Sequence, residues 1–486
     1  MNSANRLYIH HFFLKHMIKN LLIAQFIFIL SIGSSFAQTA IQKLESAYDS
    51  FLSDPQVKNA SVSLCVLDGN TGKPLFTRNE QLGLATASTL KVITAATAFS
   101  ILGKDFQYQT TLAYTGGITP DGVLKGDLII LGSGDPTLGS DRYQNKAHTV
   151  LTEWARAIKK AGIKRIEGAI VGDDRAFGTQ TTPEGWIWQD IGNYYGAGTS
   201  GLSWRENQFD IHLEPGSRIA DEVRILKTVP QTPYLKIINE LKTGAQGTGD
   251  RAYAFLPPYS TTAYLRGSWG IGIGKAGISV AIPDPAFDCA YRLQDTLKQL
   301  GITATRPATT TRLMTLNNQP IAGITQKIST ITSPDLSEII YWFLKKSVNL
   351  YGETLLKTIA LKSGKAATTV DGTSTIINFW ANKGIDKSAL NIIDGSGLSP
   401  GNHVTTMAMA SILFEAQKES WFGDYYKAFP EYNGMKIKSG TINNVSAFAG
   451  YHASASGNRY IVVININNYS GSGINKKLFT ILNALK

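Results

Sequence analysis

Cysteine, histidine and long apolar runs are all scarce in this chain of 486 residues. Only two cysteines occur, Cys65 and Cys289, too few for a disulfide framework or a cysteine-rich zinc site. Cys65 sits in the strand-like run 61–67, where a small buried thiol fits easily; whether the two cysteines pair is left open. Three of the seven histidines (His10, His11 and His16) fall in the first sixteen residues, and no C-x-x-C or H-E-x-x-H pattern is present. No metal and no cofactor are therefore expected. Charged residues make up 17% of the chain and the net charge is +11. The basic residues are spread rather than massed, which argues against a nucleic-acid partner. Such a surface would suit an anionic polymer. There is no internal repeat.

The one notable apolar run is 21–32. Lys15 and Lys19 precede it, and Ser35-Phe36-Ala37 follows it with small residues at the two positions that count. This is the pattern of a cleavable secretory signal over residues 1–37, and it implies export to the periplasm. Residues before Met17 are superfluous to such a leader, so a start at Met1 or at Met17 is left open. No other segment reaches the roughly 18 apolar residues needed to cross a bilayer. The mature chain is expected to be soluble or peripheral, with no stable membrane span.

The length suggests two or three domains. A helix is expected over 39–56, then a hairpin of strands at 61–67 and 74–78. Ala85-Thr86-Ala87-Ser88 opens a small-residue helix running to about residue 102. From 105 to 285 short β-like runs alternate with Gly- and Pro-rich turns, with helices expected at 149–161 and 233–242. Helices at 288–300, 333–349 and 353–363 follow. Strands at 432–438, 447–452 and 459–465 and a final amphipathic helix from 474, packed on the sheet, close the chain.

The chemistry begins at Ser88-Thr89-Leu90-Lys91, the one S-x-x-K in the chain. Positions i and i+3 share a helix face. A neutral Lys91 there can take the Ser88 proton, and a serine so activated attacks a carbonyl without histidine. S-x-x-K gains meaning when S-x-N and K-[ST]-G follow it in order. Ser347-Val348-Asn349 follows a helix, and Lys438-Ser439-Gly440-Thr441 lies on an alternating strand. Decoys exist at Lys242-Thr243-Gly244 and Lys362-Ser363-Gly364. Both read as helix ends with a glycine stop.

With these motifs the chain resembles the class C low-molecular-mass penicillin-binding proteins, the D-alanyl-D-alanine carboxypeptidase/endopeptidase family. Further support comes from Gly134-Asp135-Pro136-Thr137-Leu138, from 192–197, from the run 347–353, and from Asp394-Gly395-Ser396-Gly397-Leu398-Ser399. Ser439 in place of the usual Thr keeps a hydroxyl. Val348 stands for the commoner Asp, and Pro400 and His403 for basic residues. The resemblance implies an α/β (α+β) fold: a penicilloyl-serine transferase, β-lactamase-like domain with an antiparallel sheet and flanking helices, plus two inserted β-rich domains. Implied boundaries are 38–105 with 280–486 for the catalytic part, 106–172 with 262–279 for the first insertion, and 173–261 for the second. Ser88 would be the nucleophile and Lys91 the base. Ser347 would relay a proton, Asn349 would hold the substrate amide and Lys91, and Lys438 would add positive charge. Ser439, Gly440 and Thr441 would bind substrate. Asp135 would meet the amino group of the cross-linking diamino acid, or else be a turn residue before Pro136. Segment 394–399 is expected to be a structural loop near the site. Implied partners are peptidoglycan stem peptides, with β-lactams as covalent inhibitors. A homodimer is left open. A β-lactamase or esterase on the same fold, or a non-catalytic cell-wall binding protein, are the alternatives.

Overall fold

The computed structural model describes residues 39–486; the expected signal segment lies outside them. A six-stranded sheet joins the two ends of the described chain. Its order is Pro74–Arg78, Ser61–Asp68, Arg459–Asn467, Val445–Ala453, Met435–Ile442 and Glu431–Tyr432, all antiparallel. Successive strand residues face opposite sides of a sheet, and here both sides are covered. Leu64, Val66, Val462 and Ile464 pack with the first helix (39–52) and the last (Ile474–Leu482). Cys65, Leu67, Ile461 and Val463 pack into the main helical core. Double-sided burial is why these strands read as unbroken apolar runs.

Two helices at the heart of that core are buried all round: Lys91–Leu102 over its first nine residues, and Asn349–Lys362 through Ala360. Such helices show little amphipathicity. Helix Leu336–Lys345 packs against both of them.

Between residues 109 and 332 lie the other large sheets. One has five strands: Thr309–Thr310, Ile170–Asp173, Leu128–Leu131, Gln109–Tyr114 and Gln326–Thr332. Its core takes Leu112, Ile130, Trp154, Leu202 and Trp204 together with Cys289, Leu293 and Ile331. A separate core gathers Phe209, Ile211, Leu241, Leu265, Trp269 and Val280. Residues 286–331 bury their apolar face with the first insertion, and 262–279 pair with strands of the second.

Two elements also differ from the sequence reading. The expected helix at 233–242 is a pair of short strands, Lys236–Asn239 and Lys242–Gly244, parallel to Thr262–Gly270. The β-branched pair Ile237-Ile238 suits that sheet. The expected strand 432–438 is instead a hairpin, Glu431–Tyr432 and Met435–Ile442, turning at Asn433-Gly434, both in left-handed conformation. Among the described residues no helix is long and apolar enough to cross a membrane.

Candidate active site

Ser88 lies not inside an α-helix but on the 3-10 turn Ala87–Leu90, which runs straight into helix Lys91–Leu102. With three residues per turn, positions i and i+3 eclipse. Lys91 Nζ is accordingly 2.8 Å from Ser88 Oγ. Ala87, immediately before the serine, holds φ +44°, a conformation disfavoured for a side chain and frequent where surrounding structure imposes it at a functional position.

Ser347 also has positive φ, +58°. It sits in the break between helices Leu336–Lys345 and Asn349–Lys362. Asn349, first residue of the second helix, accepts from Lys91 Nζ through Oδ1 at 2.7 Å. Its Nδ2 donates to the Tyr195 carbonyl at 2.8 Å. The Ser396 carbonyl accepts from Lys91 Nζ at 2.6 Å. The segment 394–399 therefore contacts the lysine directly, closer than its expected place as a supporting loop.

Lys91 is fully buried, and burial lowers its pKa to about 7 against the opposing pull of Asp394 and Glu353. Lys438 is also buried; its pKa is pushed well down, by burial first and by Lys91 second. Desolvation, rather than the positive neighbour, is the main reason Lys91 can be neutral near pH 7.

Strand Met435–Ile442 runs against the nucleophile turn. A Cβ on Gly440 would lie 2.7 Å from the Thr86 carbonyl oxygen, 2.8 Å from Thr89 N and 2.9 Å from Ser88 N. Only glycine lets the two backbones meet so closely. Ser439 is half-buried on this strand and Thr441 exposed.

Ser88, Ser347, Asn349 and Thr441 line one cleft of about 820 Å³. Its opposite wall comes from the inserted segment: Gln189, Asp190, Tyr195 and Tyr253, with Leu398 and Pro400 at one side. Asp135 is absent from this lining. It is 2% exposed, and its Oδ1 accepts from Thr137 N at 2.8 Å and Thr137 Oγ1 at 2.6 Å. Burial raises its pKa to about 6. Such contacts to the residue two positions on are those of an Asx turn. The acid on the cleft is Asp190, half-buried, with its pKa raised by burial and partly offset by a hydrogen bond from Tyr195. No sequence signal set Asp190 apart from other loop acids.

The decoys sit elsewhere. Lys242-Thr243-Gly244 pairs with residues 268–270. Lys362 closes its helix and Gly364 has φ +74°. Cys65 and Cys289 are both free and buried in different cores.

A serine and a desolvated lysine on consecutive turns, under an antiparallel sheet edge, define the class of penicilloyl-serine transferase folds. Within that class, residues 44–432 match the model of the D-Ala-D-Ala carboxypeptidase 3 (S13) family, and the chain belongs to that family. It is a serine peptidase by that membership. It is 25% identical over 469 residues to a D-alanyl-D-alanine carboxypeptidase of Actinomadura sp. (strain R39), covering 89% of this chain and 82% of that one. It is 24% identical over 440 residues to D-alanyl-D-alanine carboxypeptidase DacB of Haemophilus influenzae, covering 86% and 88%. The crystal structure of penicillin binding protein 4 (dacB) from Haemophilus influenzae superposes with a TM-score of 0.73 at 22% identity, over 88% of this chain and 96% of that one. The same protein complexed with a β-lactam gives 0.68 at 21%, over 88% and 96%.

Proposed function

We propose that this chain is an exported, penicillin-sensitive D-Ala-D-Ala carboxypeptidase and D,D-endopeptidase acting on peptidoglycan stem peptides in the periplasm. The carrying observation is the Lys91 side-chain nitrogen, buried and within hydrogen-bond reach of both Ser88 and Asn349 beneath a peptide-sized cleft. Ser88 Oγ attacks the carbonyl of the penultimate D-Ala, and neutral Lys91 takes its proton. The C–N bond breaks. The terminal D-Ala amine leaves with a proton relayed through Ser347, and water hydrolyses the ester to restore Ser88. The backbone N–H groups of Ser88 and Thr441 form the oxyanion hole, where losing one donor costs about 3–4 kcal/mol. Ser439 and Thr441 hydroxyls receive the terminal carboxylate, whose negative charge in turn favours a protonated Lys438 beside it. Asp190, in place of Asp135, meets a cationic group on the substrate's diamino residue.

Digestion of purified cross-linked and uncross-linked muropeptides, read by mass spectrometry, tests this reading. Release of D-Ala from the second and cleavage of the first are expected. Penicillin should form a stable adduct on a Ser88 peptide and none on a Ser88→Ala protein. A Ser88→Ala protein releasing D-Ala at the normal rate refutes the nucleophile. Rapid turnover of a chromogenic cephalosporin would move the assignment to a β-lactamase.

A further inference from the structure

Three oxygens face Lys91 Nζ: Ser88 Oγ at 2.8 Å, Asn349 Oδ1 at 2.7 Å and the Ser396 carbonyl at 2.6 Å. A neutral amine has two N–H bonds and one lone pair. The amide and carbonyl oxygens carry no proton, so they can only accept. The two N–H bonds are committed to Asn349 and Ser396, and the lone pair is left aimed at the Ser88 hydroxyl. The aim of the base depends on both acceptors being fixed.

Asn349 is fixed by its helix. The Ser396 carbonyl belongs to a turn, and a carboxylate holds that turn. Asp394 is fully buried. Its Oδ1 accepts from Ser396 N (3.2 Å), Gly397 N (2.6 Å) and Asn402 Nδ2 (3.0 Å). Its Oδ2 accepts from Ser399 N (2.7 Å) and Trp186 Nε1 (2.9 Å). Five donors converging on two oxygens suit a carboxylate anion. Gly395, between Asp394 and Ser396, is gripped from both central helices. Its N–H donates to Glu353 Oε2 at 3.0 Å, and its carbonyl accepts from Thr94 Oγ1 at 2.7 Å. Thr94 is three residues beyond Lys91, and Glu353 four beyond Asn349, so each helix puts one residue on the lysine and one on the turn from the same face. A Cβ on Gly395 would lie 2.2 Å from the Gly352 carbonyl oxygen, so the turn rests on helix backbone.

We propose that Asp394 is a positioning residue of the acylation step: helped by Glu353, it fixes the Ser396 carbonyl as the second acceptor of Lys91 and so aims the amine at Ser88. This rests on Lys91 being the base.

The test is the acylation rate of the full-length protein by a fluorescent penicillin, with D-Ala release in parallel. Asp394→Asn keeps the size but presents an NH2 group to the backbone donors. Acylation and kcat should fall about 100-fold, as expected when a reacting group is misplaced by about an ångström, with KM within about twofold. The ionisable groups around Lys91 are Asp394, Glu353 and Lys438. Loss of the Asp394 charge should move the acid limb of the pH–rate profile to lower pH, because that charge raises the Lys91 pKa. Should Asp394→Asn not fold, two milder variants carry the test. Trp186→Phe removes one of the five donors and should lower kcat by about threefold without changing KM, a small part of the roughly 100- to 10,000-fold that a positioned general base contributes. Glu353→Leu should lower it by about tenfold, again a fraction of a general base's full contribution, and Glu353→Gln, which restores an acceptor for Gly395, should recover most of that loss. Variants that fold and acylate at the wild-type rate with an unmoved acid limb overturn the inference. So does a loss of thermal stability with kcat intact. A wild-type protein that is not acylated at Ser88 overturns the reading of the site itself, and the inference with it.

Discussion

A buried lysine is a liability unless its charge can be shed. Lys91 is fully buried with a pKa lowered to about 7 by that burial. The sign of the effect on rate follows. The base form grows as pH rises through 7, so acylation should climb tenfold per pH unit below that point and level off above it. Stopped-flow acylation between pH 5.5 and 9 checks this, and a flat profile would remove Lys91 as the base. Asp190 makes a second prediction at this scale. If it pairs with a cationic group, Asp190→Asn should raise KM for a peptide with a free side-chain amine by about tenfold, roughly the value of one charge-assisted hydrogen bond. It should leave the N-acetylated peptide unaffected.

At the scale of elements, the contact between strand Met435–Ile442 and the turn Ala87–Leu90 is made of backbone. Gly440→Ala must push that strand from the serine, because the blocking atoms are main-chain and cannot swing aside. Acylation should fall about 100-fold, as for other small displacements of reacting groups, while circular dichroism shows the sheet intact. The elements also show where sequence patterns mislead. Residues 234–242 carry apolar side chains at helical spacing, yet the chain there is extended, because pairing with Thr262–Gly270 packs Ile237 against, and Leu241 into, the core that holds Phe209, Leu265 and Trp269. Lys242-Thr243-Gly244 likewise forms a strand rather than a helix end, paired with Ser268–Gly270 and outside the lining of the Ser88 cleft. The turn that carries Ser88 is 3-10 rather than α, a distinction that i,i+3 spacing does not make.

For the whole molecule, segment 180–206 and the helix that begins at Asn349 are tied together by side-chain hydrogen bonds. Helix Asn349–Lys362 is held along its length by the inserted segment. Asn349 donates to Tyr195 O, Tyr351 Oη to Glu206 Oε1 at 2.7 Å, Lys357 Nζ to Gln180 O at 2.6 Å, and Thr354 pairs with Thr199 at 2.7 Å. Tyr351→Phe breaks one such tie and should cost about 1–1.5 kcal/mol of stability by thermal or urea unfolding. The two thiols report on the cores. Both are free and buried, with the Cys65 pKa raised to about 12 by burial. A thiol reagent at neutral pH should modify neither until the protein unfolds, and reductant should leave the Tm unchanged.

The candidate site residues were legible in the chain itself: Ser88, Lys91, Ser347, Asn349 and Lys438 stand out because local spacing and motif order are one-dimensional properties, and the fold brings Ser88, Lys91 and Asn349 within hydrogen-bond reach of one another. So were the central strands, whose two-sided burial writes itself as apolar runs. What only the tertiary structure decided was adjacency between distant segments. The acid on the cleft is Asp190 and not Asp135, since the inserted loop folds back across the sheet edge and Asp135 turns inward to Thr137. The third atom at Lys91 is a main-chain carbonyl, and Ser396 supplies it because Asp394 and Glu353 hold its turn there. A carbonyl is present in every residue, so no side-chain pattern could mark which one would meet the lysine.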